Sequence, residues 1–414
     1  MIALTHTGGQ TWAVFGLARS GLATARALVA GGAQVRLWDD NEAARMAAEA
    51  AGLTTMPLYD ASLSGCAGLS LAPGVPLTHP VPHDVVAAAA RVSVPVVGDI
   101  ELLLRELRPV VYGVTGTNGK STTTALLAHV LTQARRTVAL GGNIGTPVLD
   151  LPRFENDGGV YVLEMSSYQI DLTPGWHARI AVLLNITPDH LDRHGSLENY
   201  AAIKARIFAG QGAGDTAIIG IDDEYCRAIH AQLVVEASGR RIVPISIETI
   251  LEDGVSAVGG QLYENGKLVF ALDFPALPGA HNGQNVAAAY AAARAAGYAE
   301  RTAMVMDARS DWSQVLAATR SVSLFGDRLL ELKLPSGKPG KAGADTLVQL
   351  AEQCGPQSDP DTVVVLALPK PDRATRDARW LQALAQHGVT VEVPTIERER
   401  LPAWIGQRLA RQVL

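Results

Sequence analysis

The chain has 414 residues, of which 48% are hydrophobic and 18% are charged. At roughly 150 residues per domain this length predicts two or three domains, which bury sizeable cores without disulfides or metal ions. The formal charge of −6 argues against binding nucleic acid through bulk charge, so we predict no direct nucleic-acid contact. The cysteines, Cys66, Cys226 and Cys354, are far apart and match no metal spacing. This usage favours a reduced, cytoplasmic location. We see no signal peptide and no apolar run of about 18 residues, so we expect no membrane segment.

The beginning of the chain predicts a small α/β domain. Residues 12–38 contain an apolar run, WAVFG, a helical segment, LARSGLATARALVAGG, and a second apolar run, QVRLWDD. This order predicts a strand, a glycine turn, a helix and a strand, which form one βαβ unit. The segment GLSLAPG repeats the pattern of a strand and a turn. We therefore predict a Rossmann-like domain over 1–97.

A second α/β domain is predicted over 98–299. The apolar runs RTVALGG, GVYVLEM, ARIAVLLNI and DTAIIGI predict strands, and helical segments lie between several of them. Alternation of this kind predicts a mostly parallel sheet with helices on both faces. The Gly- and Ala-rich stretch at 281–297 predicts a helix.

The strongest chemical signal is TGTNGKSTT at 115–123, where a predicted strand leads into a Gly-rich loop that opens a helix. Backbone N–H groups of such a loop surround a phosphate, and the helix N-terminus adds positive potential. Lys120 would neutralise phosphate charge, and the Ser121 hydroxyl would reach Mg²⁺. Val114 stands where the strict P-loop pattern has its first glycine. The alternative is a plain Gly-rich turn before a helix.

Polar side chains follow two other predicted strands of this domain. Glu164 ends the apolar run YVLE, where a buried lone carboxylate is costly unless it is paired or metal-bound. Asp189, His190 and Asp192 come just after the run ARIAVLLNI. Ligands of open α/β sheets bind outside the carboxyl ends of the strands. For Glu164 alone an ordinary strand-end carboxylate is the simpler interpretation. For Asp189, His190 and Asp192 the alternative is a polar loop with a helix cap.

Two further segments carry weaker signals. Lys204 lies in the predicted helix NYAAIKARIF, and a solvated helix lysine is the simpler interpretation of that segment alone. Asn282 and Asn285 flank a predicted helix start in LPGAHNGQNVAAA. Simple capping of the helix is the alternative for these two residues.

Taken together, these segments resemble the Mur ligases, the ATP-dependent amide ligases of peptidoglycan precursor synthesis. The resemblance covers about residues 10–298 and includes GLARSG, GTNGKST, GGNIG, LEMSSYQI and NITPDHLDRHG. These details favour the branch that joins D-glutamate to UDP-N-acetylmuramoyl-L-alanine. A folylpolyglutamate synthase shares the phosphate loop, but the GLARSG domain is not expected before it. The resemblance implies a UDP-substrate-binding domain over 1–97 and a P-loop ATPase domain over 98–299.

The resemblance also implies roles for individual residues. The catalytic residues would be Lys120, Glu164, His190 and Lys204. ATP would be bound by Thr115, Gly116, Thr117, Asn118, Gly119, Lys120, Ser121, Thr122, Asn282 and Asn285. Mg²⁺ would be held by Ser121, Glu164, His190 and a carbamylated Lys204. The uridine diphosphate of the substrate would be bound by Leu17, Arg19, Ser20 and Asp39, and its muramoyl-alanine by Asn143, Ser166 and Gln169. A serine usually stands at Ala72 in this family, so we expect one polar substrate contact to be absent.

The last part of the chain is again predicted to be α/β. LPSGKPGKAGAD at 334–345 predicts a polar loop, VTVEVPTI at 389–396 predicts a strand, and LPAWIGQRLARQVL predicts an amphipathic helix.

The motifs of this last part depart from the Mur ligase pattern. The third domain of a Mur ligase should show a Gly-Leu-x-His-Arg segment and then Asp-Ser-Lys-x-Thr-Asn, and neither occurs over 299–414. Residues 300–414 instead resemble an α/β fragment of the delta subunit of the DNA polymerase III clamp loader. In that family a Leu-Phe pair, here Leu324 and Phe325, inserts into the sliding clamp. The alternative is that both side chains belong to a strand edge in a core.

These observations predict an α/β chain with a Rossmann-like first domain, a P-loop Mur ligase domain and a delta-like fragment. The implied cofactors are ATP and Mg²⁺, and the implied substrates are UDP-N-acetylmuramoyl-L-alanine and D-glutamate. Because the third domain is not recognised, we expect ATP binding without efficient ligation. A chimera joined at about 288–299, or a divergent third domain, explains the change. The alternative function is a clamp-binding replication module on an inactive nucleotide-binding region.

Overall fold

The computed structural model describes residues 1–134, 136–154, 159–236, 238–272, 281–296, 300–320, 328–353 and 362–387. The chain divides into two compact units, Met1–Ala296 and Gly297–Leu414. The first unit contains a four-stranded and a nine-stranded sheet, and the second contains a three-stranded sheet. Strands and helices alternate in each unit, which confirms the predicted α/β class. In the described part of the chain, no helix is both long and apolar enough to cross a membrane.

The four-stranded sheet is parallel and has the order β2-β1-β3-β4. Its first strand is buried from Trp12 to Phe15, because it lies in the middle of the sheet. The first helix ends before Gly31 and Gly32, and Gly32 has a φ of 86°, which a glycine adopts without strain. The predicted βαβ unit is confirmed. The strands are β1 Thr11–Phe15, β2 Gln34–Trp38, β3 Gly68–Leu71 and β4 Val96–Val97; the helices are α1 Arg19–Ala30, α2 Glu42–Ala50, α3 Asp60–Leu63, α4 Asp84–Arg91 and α5 Asp99–Leu107.

The nine-stranded sheet has the order β13-β12-β11-β10-β9-β8-β5-β7-β6. Its strands are parallel from β6 to β11, while β12 and β13 extend one edge as antiparallel hairpins. The strands are β5 Val111–Thr115, β6 Val138–Gly142, β7 Val160–Glu164, β8 Ile180–Leu183, β9 Thr216–Gly220, β10 Arg241–Ser246, β11 Val255–Val258, β12 Gln261–Glu264 and β13 Lys267–Ala271. The helices are α6 Lys120–Gln133, α7 Ser167–Asp171, α8 Leu191–His194, α9 Leu197–Ala205, α10 Glu224–Val235 and α11 His281–Ala295.

One hydrophobic core joins the two sheets of the first unit. Trp12 and Val14 of β1 belong to the same buried cluster as Leu163 of β7 and Leu183 of β8. The N-terminal residue Ile2 is fully buried in that cluster, and its backbone N–H donates to the carbonyl of Leu149. Burial of this apolar surface holds the two sheets together.

The second unit is a parallel three-stranded sheet of order β14-β15-β16. Trp312 and Trp380 are buried in its own apolar cluster. We predicted a polar loop over 334–345, but a helix already begins at Gly340 because Leu347 and Leu350 bury its inner face. Leu324 and Phe325 lie outside the described residues, as do the predicted strand at 389–396 and the predicted C-terminal helix. The elements are β14 Glu300–Val305, α12 Ser313–Arg320, β15 Arg328–Lys333, α13 Gly340–Gln353, β16 Thr362–Ala367, α14 Arg373–Arg376 and α15 Arg379–His387.

Candidate active site

The register of the nine-stranded sheet brings the predicted nucleotide residues together at the carboxyl ends of its parallel strands, which we call the loop edge of the sheet. Val114 of β5 pairs with Glu164 of β7, and Thr115 pairs with Leu183 of β8. Glu164 also pairs with Gly142, the last residue of β6. The loops that follow these strands therefore emerge next to one another, as expected for the carboxyl ends of parallel strands.

The Gly-rich loop links β5 to α6, which begins at Lys120. The Lys120 Nζ curls back to donate to the Thr117 carbonyl at 2.7 Å. Gly119 has a φ of 83°, and a side chain there would collide with the Oδ1 of Asn285. Only glycine meets both conditions, so the local backbone and the neighbouring helix α11 require glycine at position 119.

Helix α11 contacts α6 through Asn285, one of the two asparagines predicted to bind ATP. The Asn285 Oδ1 accepts from the Thr123 hydroxyl at 3.2 Å, and its Nδ2 donates to the Oδ1 of Asn282 at 2.9 Å. Asn285 is 3% exposed. The structure therefore brings Asn285 to the phosphate loop and Asn282 next to it, across more than 150 residues of chain.

Asn185, which the sequence analysis did not single out, fixes the shape of the loop. Its Oδ1 accepts from the Asn118 N–H at 2.8 Å and its Nδ2 donates to the Asn118 carbonyl at 3.2 Å. The same Nδ2 donates to the Oε1 of Gln284 in α11 at 2.7 Å. The available signal was its place directly after the buried run of β8, the same signal that indicated Asp189.

Glu164 is the buried acid of the site. It is 1% exposed, and its Oε1 accepts from the Asn143 side chain at 2.9 Å. Among the described residues, no hydrogen-bond donor reaches its Oε2. A buried carboxylate oxygen left in this way destabilises the fold unless a ligand completes its coordination.

Lys204 is almost completely buried, at 1% exposed. Its Nζ donates to the Gly116 carbonyl at 2.8 Å and lies 4.6 Å from the centre of the Tyr200 ring. Burial, together with the nearby charge of Lys120, lowers the pKa of Lys204 to about 7. The interpretation of Lys204 as a solvated helix lysine is therefore wrong: α9 directs this side chain into the sheet edge.

Lys120 is also partly buried and is affected by the same acidic side chains as Lys204. Burial lowers its pKa, while the negative charges of Glu164 and Asp189 oppose that shift. The two carboxylates are thus near enough to act on both lysines. The edge gathers two amines and two acids around the phosphate loop, which is a charge arrangement suited to an anionic ligand bound with a cation.

His190 lies at the start of the short helix α8 with a φ of 49°, a left-handed backbone that is uncommon for histidine. Its Nε2 is 3.3 Å from an Asp189 oxygen, and its ring lies 5.3 Å from the ring of Tyr168. The side chain is half exposed, and among the described residues it makes no hydrogen bond to a strand of the sheet. The loop therefore presents His190 at the surface of the edge.

Two predicted substrate residues form a capping box. Ser166 precedes α7, and its Oγ accepts from the Gln169 N–H at 3.2 Å while the Gln169 Oε1 accepts from the Ser166 N–H at 3.1 Å.

Two predicted ATP residues differ in how their hydroxyls are used. The Thr115 hydroxyl is used inside the fold, where it donates to the Met165 carbonyl at 2.7 Å. Ser121, by contrast, is exposed in the first turn of α6.

The four-stranded sheet has its own edge of loops. The Asp39 Oδ2 accepts from the Leu17 N–H at 2.6 Å, and its Oδ1 accepts from the Asn41 N–H at 2.8 Å. Arg19 donates to the Gly145 carbonyl at 2.7 Å, and Ser20 accepts from Thr24 within α1. The structure thus gathers the four residues predicted for the uridine diphosphate at one edge, with Asp39 holding the loop that contains Leu17.

No group of three or more His, Cys, Asp and Glu side chains that could hold a metal ion occurs in the described ranges. The predicted magnesium ligands include only one glutamate and one histidine besides a serine and a lysine, so they would not form such a group and stay a prediction. The unpartnered Oε2 of Glu164 is the observation that fits a cation here. Mg²⁺ keeps several non-protein oxygens and is bound through one or two protein groups together with phosphates.

Comparison with known proteins places this site in a family. The Mur ligase middle domain matches residues 114–293. UDP-N-acetylmuramoylalanine–D-glutamate ligase of Caulobacter vibrioides (strain NA1000 / CB15N) is 49% identical over 316 residues, covering 73% of this chain and 67% of that protein. The enzyme of the same name from Phenylobacterium zucineum is 51% identical over 309 residues, covering 72% of this chain and 66% of that protein. The chain belongs to the Mur ligase family.

The chain spans about two thirds of the length of these curated relatives. Among solved structures, the UDP-N-acetylmuramate:L-alanyl-gamma-D-glutamyl-meso-diaminopimelate ligase from Neisseria meningitides aligns with a TM-score of 0.47 and 19% identity, covering 70% of this chain and 94% of that chain. The resemblance of 300–414 to a clamp-loader subunit stays a prediction.

Proposed function

We propose that residues 1–296 bind Mg-ATP and UDP-N-acetylmuramoyl-L-alanine and activate the substrate carboxylate, as in a ligase that adds D-glutamate. The observation that supports this most is the sheet edge itself. There the buried Lys204 amine donates to the Gly116 carbonyl, and Glu164, whose charge acts on Lys120, has one buried oxygen without a donor among the described residues. Two buried ionisable groups at the carboxyl edge of a parallel sheet are typical of a catalytic site rather than of a core.

The ATP phosphates are proposed to lie over the loop 115–119 and the first turn of α6. Backbone N–H groups there and the helix dipole favour an anion. Lys120 would leave the Thr117 carbonyl and donate to the phosphates, because a charged acceptor gives a stronger hydrogen bond than a carbonyl. Asn282 and Asn285 would lie on the adenine side, as their position beside α6 allows.

Magnesium would be held by Ser121, Glu164, His190 and Lys204 in its carbamylated form. When bound, the ion offsets the negative charge that builds up as two anions approach each other. This chain's own contribution is to orient the carboxylate of Glu164 through Asn143 and to present His190 on a constrained backbone. Water is excluded from Glu164 and Lys204 because both side chains are buried.

The proposed reaction has two steps that balance. A substrate carboxylate oxygen attacks the γ-phosphorus of ATP, the bond to ADP breaks, and an acyl phosphate forms. The amine of D-glutamate then attacks the acyl carbon, phosphate leaves, and the nitrogen releases a proton as the amide forms. Lys120 offsets charge in the first step, because it lies at the phosphate loop.

Carbamylation of Lys204 is proposed because the reaction needs a neutral amine and a fixed nitrogen position, and the site provides both. A neutral amine must add to carbon dioxide, forming an N–C bond and releasing one proton to water. Burial of the side chain favours the neutral amine, and its contact with the Gly116 carbonyl fixes the nitrogen at the phosphate loop. The product carries a negative charge, which turns a lysine into an oxygen ligand suited to Mg²⁺.

This step is tested with ¹³C-labelled bicarbonate and carbon NMR at neutral pH. We expect one carbamate resonance that titrates with bicarbonate and disappears in Lys204→Met. Lys120→Met is the matched control, since it removes a second lysine of the same edge and should retain the resonance. Absence of any carbamate signal in the wild-type chain, at saturating bicarbonate and with Mg-ATP bound, would contradict carbamylation.

Addition of D-glutamate is the step that we expect to be slow. The predicted ATP, metal and uridine residues all lie before residue 299, whereas 300–414 shows none of the motifs of a ligase third domain. Positioning two reactants for attack contributes up to about 7–11 kcal/mol to catalysis. An acyl phosphate formed without a D-glutamate site, and without a closing domain, would hydrolyse instead.

The experiment measures phosphate release and product formation with UDP-N-acetylmuramoyl-L-alanine and Mg-ATP, with and without D-glutamate. We expect phosphate release that depends on the uridine substrate and not on D-glutamate. Product formation at roughly 1 s⁻¹ or more would show that 300–414 acts as a third domain. Phosphate release that ignores the uridine substrate would overturn the proposed function.

A further inference from the structure

The loop that carries His190 is attached to the four-stranded sheet by Arg193. The Arg193 Nη1 donates to the Gly74 carbonyl at 2.8 Å. Gly74 belongs to the segment LAPG, which directly follows β3. Arg193, three residues after His190, therefore links the loop of His190 to a loop of the four-stranded sheet.

The loops of the four-stranded sheet that contain Leu17, Arg19, Ser20 and Asp39 are proposed to bind the uridine diphosphate, and we call the space between them the uridine crevice. The loop after β3 is part of it. Gly16 and Ala72 are in such close contact that a side chain on Gly16 would collide with the Ala72 Cβ. Gly16 precedes Leu17, whose N–H is held by Asp39. Any ligand that moves the Leu17 loop must therefore also act on the segment that ends in Gly74.

On the other side, Arg193 reaches His190 through one aromatic ring. The Arg193 Cζ lies 4.7 Å from the centre of the Tyr168 ring, which in turn lies 5.3 Å from the ring of His190. Tyr168 is fixed because it also stacks on His194 at 5.3 Å with an interplanar angle of 19°. The His194 Nε2 is hydrogen-bonded to the Ser167 Oγ at 2.8 Å.

A second contact holds the same two loops together. Gly195 has a φ of 77°, and a side chain at this position would meet the His79 ring. Arg19 also joins the two sheets, but its contact ends on the backbone of Gly145 rather than on the ring cluster around His190. The contacts through Arg193 thus lead from the loop after β3 to the side chain of His190, a proposed metal ligand.

We propose that Arg193 and Tyr168 are positioning residues that couple occupancy of the uridine crevice to the nucleotide and metal edge through His190. This inference rests on the proposed function, because it needs both ligands. Coupling of this kind is a difference in affinity that each ligand confers on the other, and it is reciprocal. It requires that the contacts through Arg193 differ in strength between the occupied and the empty crevice.

The experiment titrates the Mg²⁺ complex of a non-hydrolysable ATP analogue by calorimetry, without and with saturating uridine diphosphate. In the wild-type chain we expect the second ligand to tighten the first by about fivefold or more, the lower end of typical allosteric coupling. In Arg193→Ala and in Tyr168→Leu that ratio should fall to about one, while each ligand alone binds within about threefold of wild type.

Two matched variants separate positioning from a general structural effect. Tyr168→Phe keeps the ring between Arg193 and His190 and should retain the coupling ratio. Arg26→Ala removes another link between the sheets, the ion pair with Asp150 at 3.1 Å, and should also retain it.

Each outcome is decisive. A ratio of one in the wild-type chain with both ligands bound, an unchanged ratio in Arg193→Ala, or an equal loss in Arg26→Ala would overturn the coupling while leaving the proposed function intact. Failure of uridine diphosphate or of the nucleotide analogue to bind the wild-type chain at all would overturn the proposed function, and the coupling with it.

Discussion

The two loop edges of the first unit follow the same topological rule but differ in how their polar groups are satisfied. At the four-stranded sheet, both oxygens of Asp39 accept backbone N–H groups, and the loops are closed by the protein itself. At the nine-stranded sheet, Lys204 is buried with a depressed pKa, and one oxygen of Glu164 has no donor among the described residues. The first edge is complete without a ligand, whereas the second is not.

The difference supports the proposal that the reaction takes place at the nine-stranded sheet. A ligand that is only held needs a shaped crevice with fixed backbone groups, and satisfied loops provide one. A reaction that gathers charge needs ionisable groups whose ordinary solvation has been removed. Buried unsatisfied groups destabilise the fold, so their presence at one edge and not the other marks a division between binding and catalysis.

The largest expected effect comes from removing the charge at the second edge. In Lys120→Ala the phosphate charge is left uncompensated, so we expect the thermal stabilisation by Mg-ATP to disappear. At a ligand concentration of 1,000 times Kd, that stabilisation is about 4.1 kcal/mol. The measurement is a thermal-shift titration with Mg-ATP, and stabilisation by uridine diphosphate should be unchanged. An unaltered shift with Mg-ATP would refute the phosphate-loop assignment.

The buried carboxyl of Asp99 in the first unit gives the next effect. Asp99 begins α5 and is 6% exposed, with the Ile100 N–H as a donor at 3.0 Å. Burial raises its pKa from 3.8 to about 6. The raised folded-state pKa means that the fold favours the protonated acid. The stability that this proton confers is present below about pH 4 and is lost as the pH rises through about 6.

Asp99→Asn cannot ionise and should therefore be more stable than wild type above pH 6, by up to about 3 kcal/mol. The gain should shrink toward zero as the pH approaches 4. Urea unfolding at a series of pH values measures it. Asp84→Asn, at the exposed first turn of α4, is the control and should show little change with pH. An equal gain at pH 4 and pH 8 would contradict a buried, protonated Asp99.

The smallest effect is expected at the satisfied edge. Asp39→Ala leaves the N–H groups of Leu17 and Asn41 without their acceptor, which costs about 1–2 kcal/mol for partly buried groups. Calorimetric binding of uridine diphosphate should weaken, whereas binding of Mg-ATP should stay unchanged. Asp39→Asn retains one acceptor oxygen and should lose less of both stability and uridine affinity. If Asp39→Ala impaired only Mg-ATP binding, the division between the two edges would be wrong.

Much of this fold follows from local patterns. The βαβ unit before residue 40 and the strand that ends at Glu164 were both predicted from runs of apolar residues and glycine turns, because these patterns act over a few neighbouring residues. The start of α13 was missed, because the polar, Gly-rich segment 334–345 predicts a loop, whereas the helix begins at Gly340 and its buried side chains come later. Lys204 was ambiguous for a related reason: its own helix shows no apolar face that distinguishes burial from exposure.

The sequence by itself determined the α/β class, the phosphate loop and the strand ends where polar groups occur, because glycines and apolar periodicity encode them locally. The tertiary structure alone decided which of those groups meet. The contact of Lys204 with Gly116, the bridge from Asn185 to Gln284 and the grip of Arg193 on Gly74 each join residues about 90 to 120 positions apart. Such contacts depend on the order of strands in the sheets and on how the two sheets share a core. That order is set by burial of surface over the whole unit rather than by any short segment.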